Sequence, residues 1–180
     1  MPAILRSLQR LLKLFEDKNV PYMIIGGYAL PFYGRIRTTV DVDLAVAIKT
    51  DEELKQFLDL LQSADFEPTI RSPNNPVIVI LDRKEKIEIE LWLRPDGIVF
   101  DDETLRRRQK VKLDENIWAW IVSAEDFIVN KLARPDRGVI DEQDVKSVLA
   151  RQENKLDDEY LQRRARDAGV SAILQTIRAL

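Results

Sequence analysis

The chain has 180 residues, 28 of them Lys or Arg and 31 Asp or Glu, for a net charge of −3, with neither Cys nor His. That length holds one domain with a real core, or a compact domain with a helical extension. The missing Cys and His exclude a disulfide framework, thiolate and imidazole metal sites, Ser-His-Asp triads and Cys-His dyads, and the balanced charge argues against a broad surface for duplex DNA.

Residues 1–19 carry Ile4, Leu5, Leu8, Leu11, Leu12 and Phe15 at helical spacing, interrupted by charge. They predict an amphipathic helix ending near Asn19, not a signal peptide or a membrane span, and the chain reads as cytoplasmic. YMIIGG predicts a short buried strand closed by a turn at Gly26 and Gly27. GYALPFYG predicts a short helix, with Pro31 in its first turn or at a kink. VDVDLAVAI predicts a strand with Asp41, Asp43, Ala45 and Ala47 on one face and Val42, Leu44, Val46 and Ile48 on the other, the core face. Thr50 and Glu53 form a capping box that starts a helix over TDEELKQFLDLLQSAD.

SPNNP is predicted as a loop. PVIVILD and KIEIELWL are predicted as a hairpin joined around Asp82 to Glu85. In its second strand Glu88, Glu90 and Trp92 share a face, and Ile87, Ile89 and Leu91 share the other. DDETLRRRQK reads as a charged helix, NIWAWIV as a strand, and Ser123 with Asp126 as the cap of a helix through AEDFIVNKLA. After the loop ARPDRG, three further helices are predicted: DEQDVKSVLARQ, DDEYLQRRARDAG and VSAILQTIRAL. The composition becomes all-helical near residue 123, which predicts a core over 1–122 and a helical segment over 123–180. No repeat or low-complexity stretch is present.

The chemistry concentrates in GGYALPFYGRIRTTVDVD, where thirteen residues separate Gly27 from Asp41. Asp41 and Asp43 point the same way on a strand, about 6.6 Å apart. If they meet Glu88 and Glu90 in one sheet, three or four carboxylates converge and repel one another unless a cation neutralises them. Oxygen-only ligands suit a hard divalent ion, and a pair of Mg²⁺ ions (or Mn²⁺) bridging a nucleoside triphosphate, ATP for example, fits such a set. The expected chemistry is in-line attack of an acceptor hydroxyl on the α-phosphorus. The Gly26 and Gly27 amides and the following helix N-terminus would hold the outer phosphates, with Arg35, Arg37 and Lys131 as the nearby cations.

GGYALPFYGRIRTTVDVDLAV resembles the signature of the polymerase-beta-like nucleotidyltransferase superfamily: Gly-Gly, a spacer, then Asp-x-Asp. Arg37, Thr39, Asp41 and Asp43, in the form Arg-x-Thr-x-Asp-x-Asp, resemble the branch that includes abortive-infection toxins of toxin–antitoxin pairs. SAEDFIVNKLARPDRGVIDEQDV is similar to that branch's second signature through Ser123, Glu125, Asp126, Lys131, Leu132, Asp141, Asp144 and Val145. The likeness covers roughly residues 20 to 150. It implies an α+β nucleotidyltransferase fold, a small mixed sheet with helices on one face and a metal cleft on the other, closed by the C-terminal helices. It further implies Asp41 and Asp43 as catalytic metal ligands, a third acid best matched by Glu90, with Glu88 as the alternative, and nucleotide contacts from Thr39 and Lys131. The family's usual third acid is aspartate, so Glu90 is a departure that puts catalytic competence in question more than metal binding. The implied acceptor is tRNA or protein, with an antitoxin as partner. A small-molecule acceptor of the aminoglycoside type, an antitoxin role, or a binding module without catalysis share the same motifs.

Singly, each motif has a plainer reading. Asp-x-Asp fits many solvated strand faces, and only the upstream Gly-Gly shifts the balance. Glu88 and Glu90 fit a solvated face, Lys131 an exposed helical lysine, and Asp141 with Asp144 an N-cap and first-turn acid. Trp118 and Trp120 are read as filling core or an interface. Arg106, Arg107, Arg108 and Lys110 are read as a solvated helix face rather than a tRNA-steering patch.

Overall fold

The structure is a computed structural model and describes residues 1–39, 41–71 and 77–179; the predicted SPNNP loop and Val40, the first residue of the predicted Asp-x-Asp strand, lie outside the described residues. In chain order the elements are α1 (Ala3–Asp17), β1 (Tyr22–Ile25), α2 (Gly26–Tyr33), β2 (Asp43–Val46), α3 (Asp51–Ser63), β3 (Phe66–Ile70), β4 (Val77–Asp82) and β5 (Ile87–Trp92). Then follow α4 (Asp102–Arg107), β6 (Gln109–Asp114), β7 (Ile117–Ile121), α5 (Ala124–Ala133), α6 (Val139–Gln152), α7 (Asp158–Asp167) and α8 (Ser171–Arg178). They divide into two compact units: Met1–Ile24, Asp41–Arg94 and Lys110–Trp120 form one, and Ile25–Val40, Pro95–Gln109 and Ile121–Leu180 the other.

The first unit is built on a seven-stranded sheet in the order β3-β4-β5-β2-β1-β7-β6. It is mixed: β2 runs parallel to β5, while β3, β4 and β5 are successively antiparallel. A parallel neighbour requires a crossover rather than a hairpin, and α3 with β3 and β4 lies between β2 and β5 in the chain. α1 buries Leu8, Leu11, Leu12 and Phe15, the stripe its spacing predicts, and Phe15 sets its ring 5.6 Å from those of Tyr22 and Phe57. β1, with four buried residues, needs no polar face. α3 begins with the full Thr50–Glu53 capping box. The β4–β5 turn is fixed by buried Asp82, which accepts from Arg10 Nη1 at 2.6 Å and from the Lys84 and Glu85 amides at 2.9 and 3.3 Å.

Two edge strands, β3 and β6, differ from the sequence reading. Pro68 and Glu67 disguise β3, yet an edge position tolerates a proline that a central strand would not. The helix expected through Lys110 ends at Arg107, and Gln109 and Lys110 open β6 instead. Edge strands commonly carry lysines, which discourage further pairing. The predicted strand over 40–48 is regular only from Asp43 to Val46, so Asp41 precedes it. Trp118, read as filling core or an interface, is 54% exposed, so it does not fill the core.

The second unit is helical. α5 is buried along nearly its whole length, as befits a central helix, and Ser123 caps it by accepting from the Asp126 amide. Asp126, also buried, accepts from the Tyr160 hydroxyl at 3.0 and 2.9 Å and from Ser123 Oγ at 3.0 Å. Arg164 joins α7 to the α4 cap, donating to Asp101 at 2.6 Å and Thr104 Oγ1 at 3.0 Å. Pro31 sits in the second turn of α2 rather than the first. Among the described residues, no helix is long and apolar enough to cross a membrane.

Candidate active site

In the sheet unit the parallel pairing of β2 with β5 sets Asp43 opposite Glu90, Leu44 opposite Leu91 and Ala45 opposite Trp92. Residues in register on adjacent strands direct their side chains to the same face. The Glu90 amide donates to Val42 O at 3.1 Å, which locks this register beside the two aspartates. Trp92 Nε1 donates to Asp43 Oδ1 at 3.3 Å. Arg71 lies 3.8 Å from Glu90 and 3.0 Å from Glu88, whose side chain is 60% exposed. Position therefore separates the two glutamates: Glu90 shares Asp43's place in the sheet, and Glu88 reaches outward to Arg71.

The electrostatics follow from this placement. Burial pushes the Glu90 carboxyl above its ordinary value, and the Asp43 charge adds to the rise. Arg71 opposes it, while the Asp41 charge and a hydrogen bond with Asp43 raise it again. Both aspartates thus act on Glu90, although among the described residues no three acidic side chains are already gathered at ion-holding distance. The donors are all carboxylate oxygens, two of them side by side and mutually repelling, and in kind they suit a hard divalent cation.

The other residues singled out from the sequence, Gly26, Gly27, Arg35, Arg37, Thr39 and Lys131, lie in the helical unit. Gly26 takes φ 64°, a left-handed conformation that suits glycine, and turns the chain from β1 directly into α2. A Cβ on Gly27 would stand 2.7 Å from Thr39 Oγ1 and 2.8 Å from Thr39 Cβ, so this glycine lets the Thr39 segment close over the start of α2.

Arg35, Arg37 and Lys131 meet around α6. Asp144, fully buried, accepts from Arg35 Nε at 2.8 Å and from Arg37 Nε and Nη2 at 3.2 and 3.0 Å, with Lys131 Nζ at 3.6 Å. Lys131 is only 3% exposed and donates to Asp141 Oδ1 at 2.7 Å. Asp141 also accepts from the Gly138 amide at 3.1 Å. Burial works against its charge, yet Lys131, the Gly138 amide and Arg134 together hold its carboxyl below the usual range. The sequence reading singles out all four residues, but it takes Asp144 as a signature match or first-turn acid and not as the carboxylate that gathers the three cations. The available signal was the inward spacing of Asp141, Asp144, Val145 and Val148 on α6, all buried.

A mixed sheet with Asp-x-Asp at the start of one strand, an acid opposite on its parallel neighbour and a Gly-Gly strand-to-helix turn define a nucleotidyltransferase fold. The chain belongs to the family described as nucleotidyl transferase of unknown function (DUF2204), whose model matches residues 4–172, and it is accordingly a nucleotidyltransferase. Similar solved structures agree on the fold. An antigenic nucleotidyltransferase-like protein from Paracoccidioides brasiliensis aligns at TM-score 0.55 and 21% identity, over 96% of this chain and 91% of that one. The antibiotic-resistance factor ANT(2'')-Ia aligns at 0.54 and 14%, over 96% and 95%. The lincomycin-bound lincosamide antibiotic adenylyltransferase LnuA aligns at 0.52 and 15%, over 79% and 94%. No curated protein matches the chain.

Proposed function

We propose that the protein moves a nucleoside monophosphate from a nucleoside triphosphate to an acceptor hydroxyl, with Asp41, Asp43 and Glu90 as the ligands of divalent metal, Mg²⁺ or Mn²⁺. The observation that carries this reading is the register of Asp43 with Glu90 on parallel strands, with Asp41 acting on the same carboxyl. A divalent ion bound there would neutralise phosphate charge and make the acceptor hydroxyl more acidic. Asp43 keeps its orientation through Trp92 Nε1, and Glu90 has Arg71 as its nearby cation. Gly26 and Gly27 offer backbone amides at the N-terminus of α2 to the outer phosphates. Arg35 and Arg37 each retain two N–H donors that the described residues do not engage, enough to grip phosphate oxygens. The acceptor oxygen bonds to the α-phosphorus as the α–β bridging P–O bond breaks. Pyrophosphate leaves and the hydroxyl proton passes to a carboxylate or water.

For the acceptor we favour tRNA or protein, with the chain acting as part of a toxin–antitoxin pair; the two motif resemblances support this. A small-molecule acceptor is the second reading, supported by the shared fold of the two antibiotic-modifying proteins. A polycationic small molecule calls for an acidic pocket on the helical unit. The cavity of about 690 Å³ there balances Glu153 and Asp158 against Lys146 and Arg178, and Arg178 pairs with Asp158 at 2.5 Å. The test is incubation with each labelled nucleoside triphosphate, Mg²⁺ and a tRNA or lysate pool. Label on RNA, protein or a small molecule identifies the acceptor. Undiminished transfer by the Asp41→Asn/Asp43→Asn double variant would place the chemistry elsewhere.

A further inference from the structure

We infer that Asp144 is a positioning residue that aims Arg35 and Arg37 at the triphosphate, and that Lys131 is its buried counter-ion rather than a phosphate ligand. The inference rests on the reading above, in which the two arginines meet phosphate. Asp144 is wholly enclosed and reaches three cations from one helical position. It takes the Nε edge of both guanidiniums, which fixes each plane and directs the remaining donors away from α6. Gln143 Oε1 and Ile140 O complete the hold on Arg35 at 2.9 and 3.5 Å, and Thr38 O accepts from Arg37 Nη1 at 3.2 Å. Lys131 faces inward to Asp141 and Asp144, out of reach of a solvent-borne anion.

Charge and positioning make opposite forecasts. Arg35, Arg37 and Lys131 share Asp141 and Asp144, while Arg134, 3.7 Å from Asp141, pairs with Asp136 at 2.9 Å, so the cluster carries one surplus positive charge. Neutralising Asp144 increases the surplus, and attraction alone then tightens anion binding. If Asp144 works by position, the same change loosens both arginines and binding weakens, because two long side chains must be ordered during association instead of beforehand. In Asp144→Asn one oxygen still accepts from Arg35, but the amide that replaces the other confronts the donors of Arg37 and Lys131.

The experiment measures the dissociation constant of inorganic tripolyphosphate without divalent metal, together with KM and kcat for the nucleoside triphosphate. Asp144→Asn is expected to weaken tripolyphosphate roughly ten- to a hundredfold and to raise KM more than it lowers kcat. Lys131→Met/Asp144→Asn removes one charge of each sign from the buried cluster, which favours folding if the single variant unfolds, and is expected to show the same weakening. Wild-type or tighter binding by either folded variant overturns the inference, whatever happens to the melting temperature. Arg35→Gln/Arg37→Gln tests the underlying reading separately. If that pair binds tripolyphosphate like wild type, the arginines do not serve phosphate; if it weakens while the Asp144 variants do not, the positioning role alone is wrong.

Discussion

Asp43→Asn sets two effects of one side chain against each other, repulsion within the fold and ligation of metal. Neighbouring strands lie about 4.8 Å apart, so charges paired at positions 43 and 90 sit roughly 5 Å apart. Coulomb's law gives about 3 kcal/mol for such a pair at an effective dielectric near 20, and just under ~1 kcal/mol in water. A third of the Glu90 side chain is exposed and Arg71 stands 3.8 Å away, so the relief lies toward the lower figure, about 1 kcal/mol. Asparagine keeps the oxygen that accepts from Trp92, so packing changes little. Without metal at pH 7 the variant should therefore be the more stable protein. With a urea dependence of about 1–3 kcal/mol per molar, its unfolding midpoint should rise by roughly 0.3–1 M.

The pH dependence has a definite sign. The folded-state pKa of Glu90 is raised, so its stabilising contribution is full below the ordinary value of 4.5 and is lost as pH rises through the folded value. The variant's advantage should accordingly be present at neutral pH and fade as the carboxyls protonate in acid. Adding Mg²⁺ and nucleoside triphosphate should reverse the order. A ligand at a hundred times its dissociation constant stabilises by about 2.7 kcal/mol, and the variant, short of one ligand, gains less. Transfer should fall by roughly three orders of magnitude, the several kcal/mol that metal-held charge supplies. A variant less stable than wild type at pH 7 without metal, or one that transfers at the wild-type rate, refutes the reasoning.

Three further outcomes are expected. Tyr160→Phe removes the hydroxyl that donates to both oxygens of buried Asp126 and should cost about 1–3 kcal/mol in urea unfolding. Burial already holds that carboxyl above its ordinary value, against hydrogen bonds from Tyr160 and Ser123, so its stability is lost as pH rises through the folded pKa; losing the Tyr160 bond should extend the loss to higher pH. Asp82→Ala unpairs Arg10 and frees the two turn amides, for a cost near 3 kcal/mol with kcat unchanged, since neither residue belongs to the proposed site. Gly27→Ala would gain about 1 kcal/mol from helix propensity alone. Contact with Thr39 at 2.7–3.0 Å should instead make it a net loss, from an overpacking cost of about 1–3 kcal/mol; a gain in melting temperature would show that Thr39 yields freely.

Legibility in the sequence followed the locality of the signal. α1, α3, α5 and the β4–β5 hairpin each announce themselves within a dozen or so residues, by apolar spacing or by a capping pair such as Thr50–Glu53. β3 and β6 do not, because edge strands need only one neighbour and tolerate Pro68 and Lys110. The two units interleave along the chain: the helical one takes Ile25–Val40 and Pro95–Gln109 as well as Ile121–Leu180, a recruitment by long-range packing that no local pattern announces. At the site, Asp41, Asp43 and the glycines stand out by spacing, whereas the choice between Glu88 and Glu90 depends on register. A shift of one residue would turn both away from Asp43. Asp144 was visible as a signature match and first-turn acid, but its role was not, because no local pattern says which cations a buried carboxylate will gather.

Each unit gathers like charge in its own way. In the sheet unit Asp43 and Asp41 both push the Glu90 carboxyl up, and Arg71 opposes the rise. In the helical unit the cations round Asp144 are over-supplied relative to their acids. Sequences selected for stability alone tend to remove both conditions, since like charges held together destabilise the folded state. Under the proposed function each cluster answers to its own part of the substrate complex. Magnesium brings positive charge to the carboxylates, and the triphosphate brings negative charge to the arginines. Stability is then expected to rise more with metal and nucleotide together than the sum of their separate effects, because each bound charge favours binding of the opposite one.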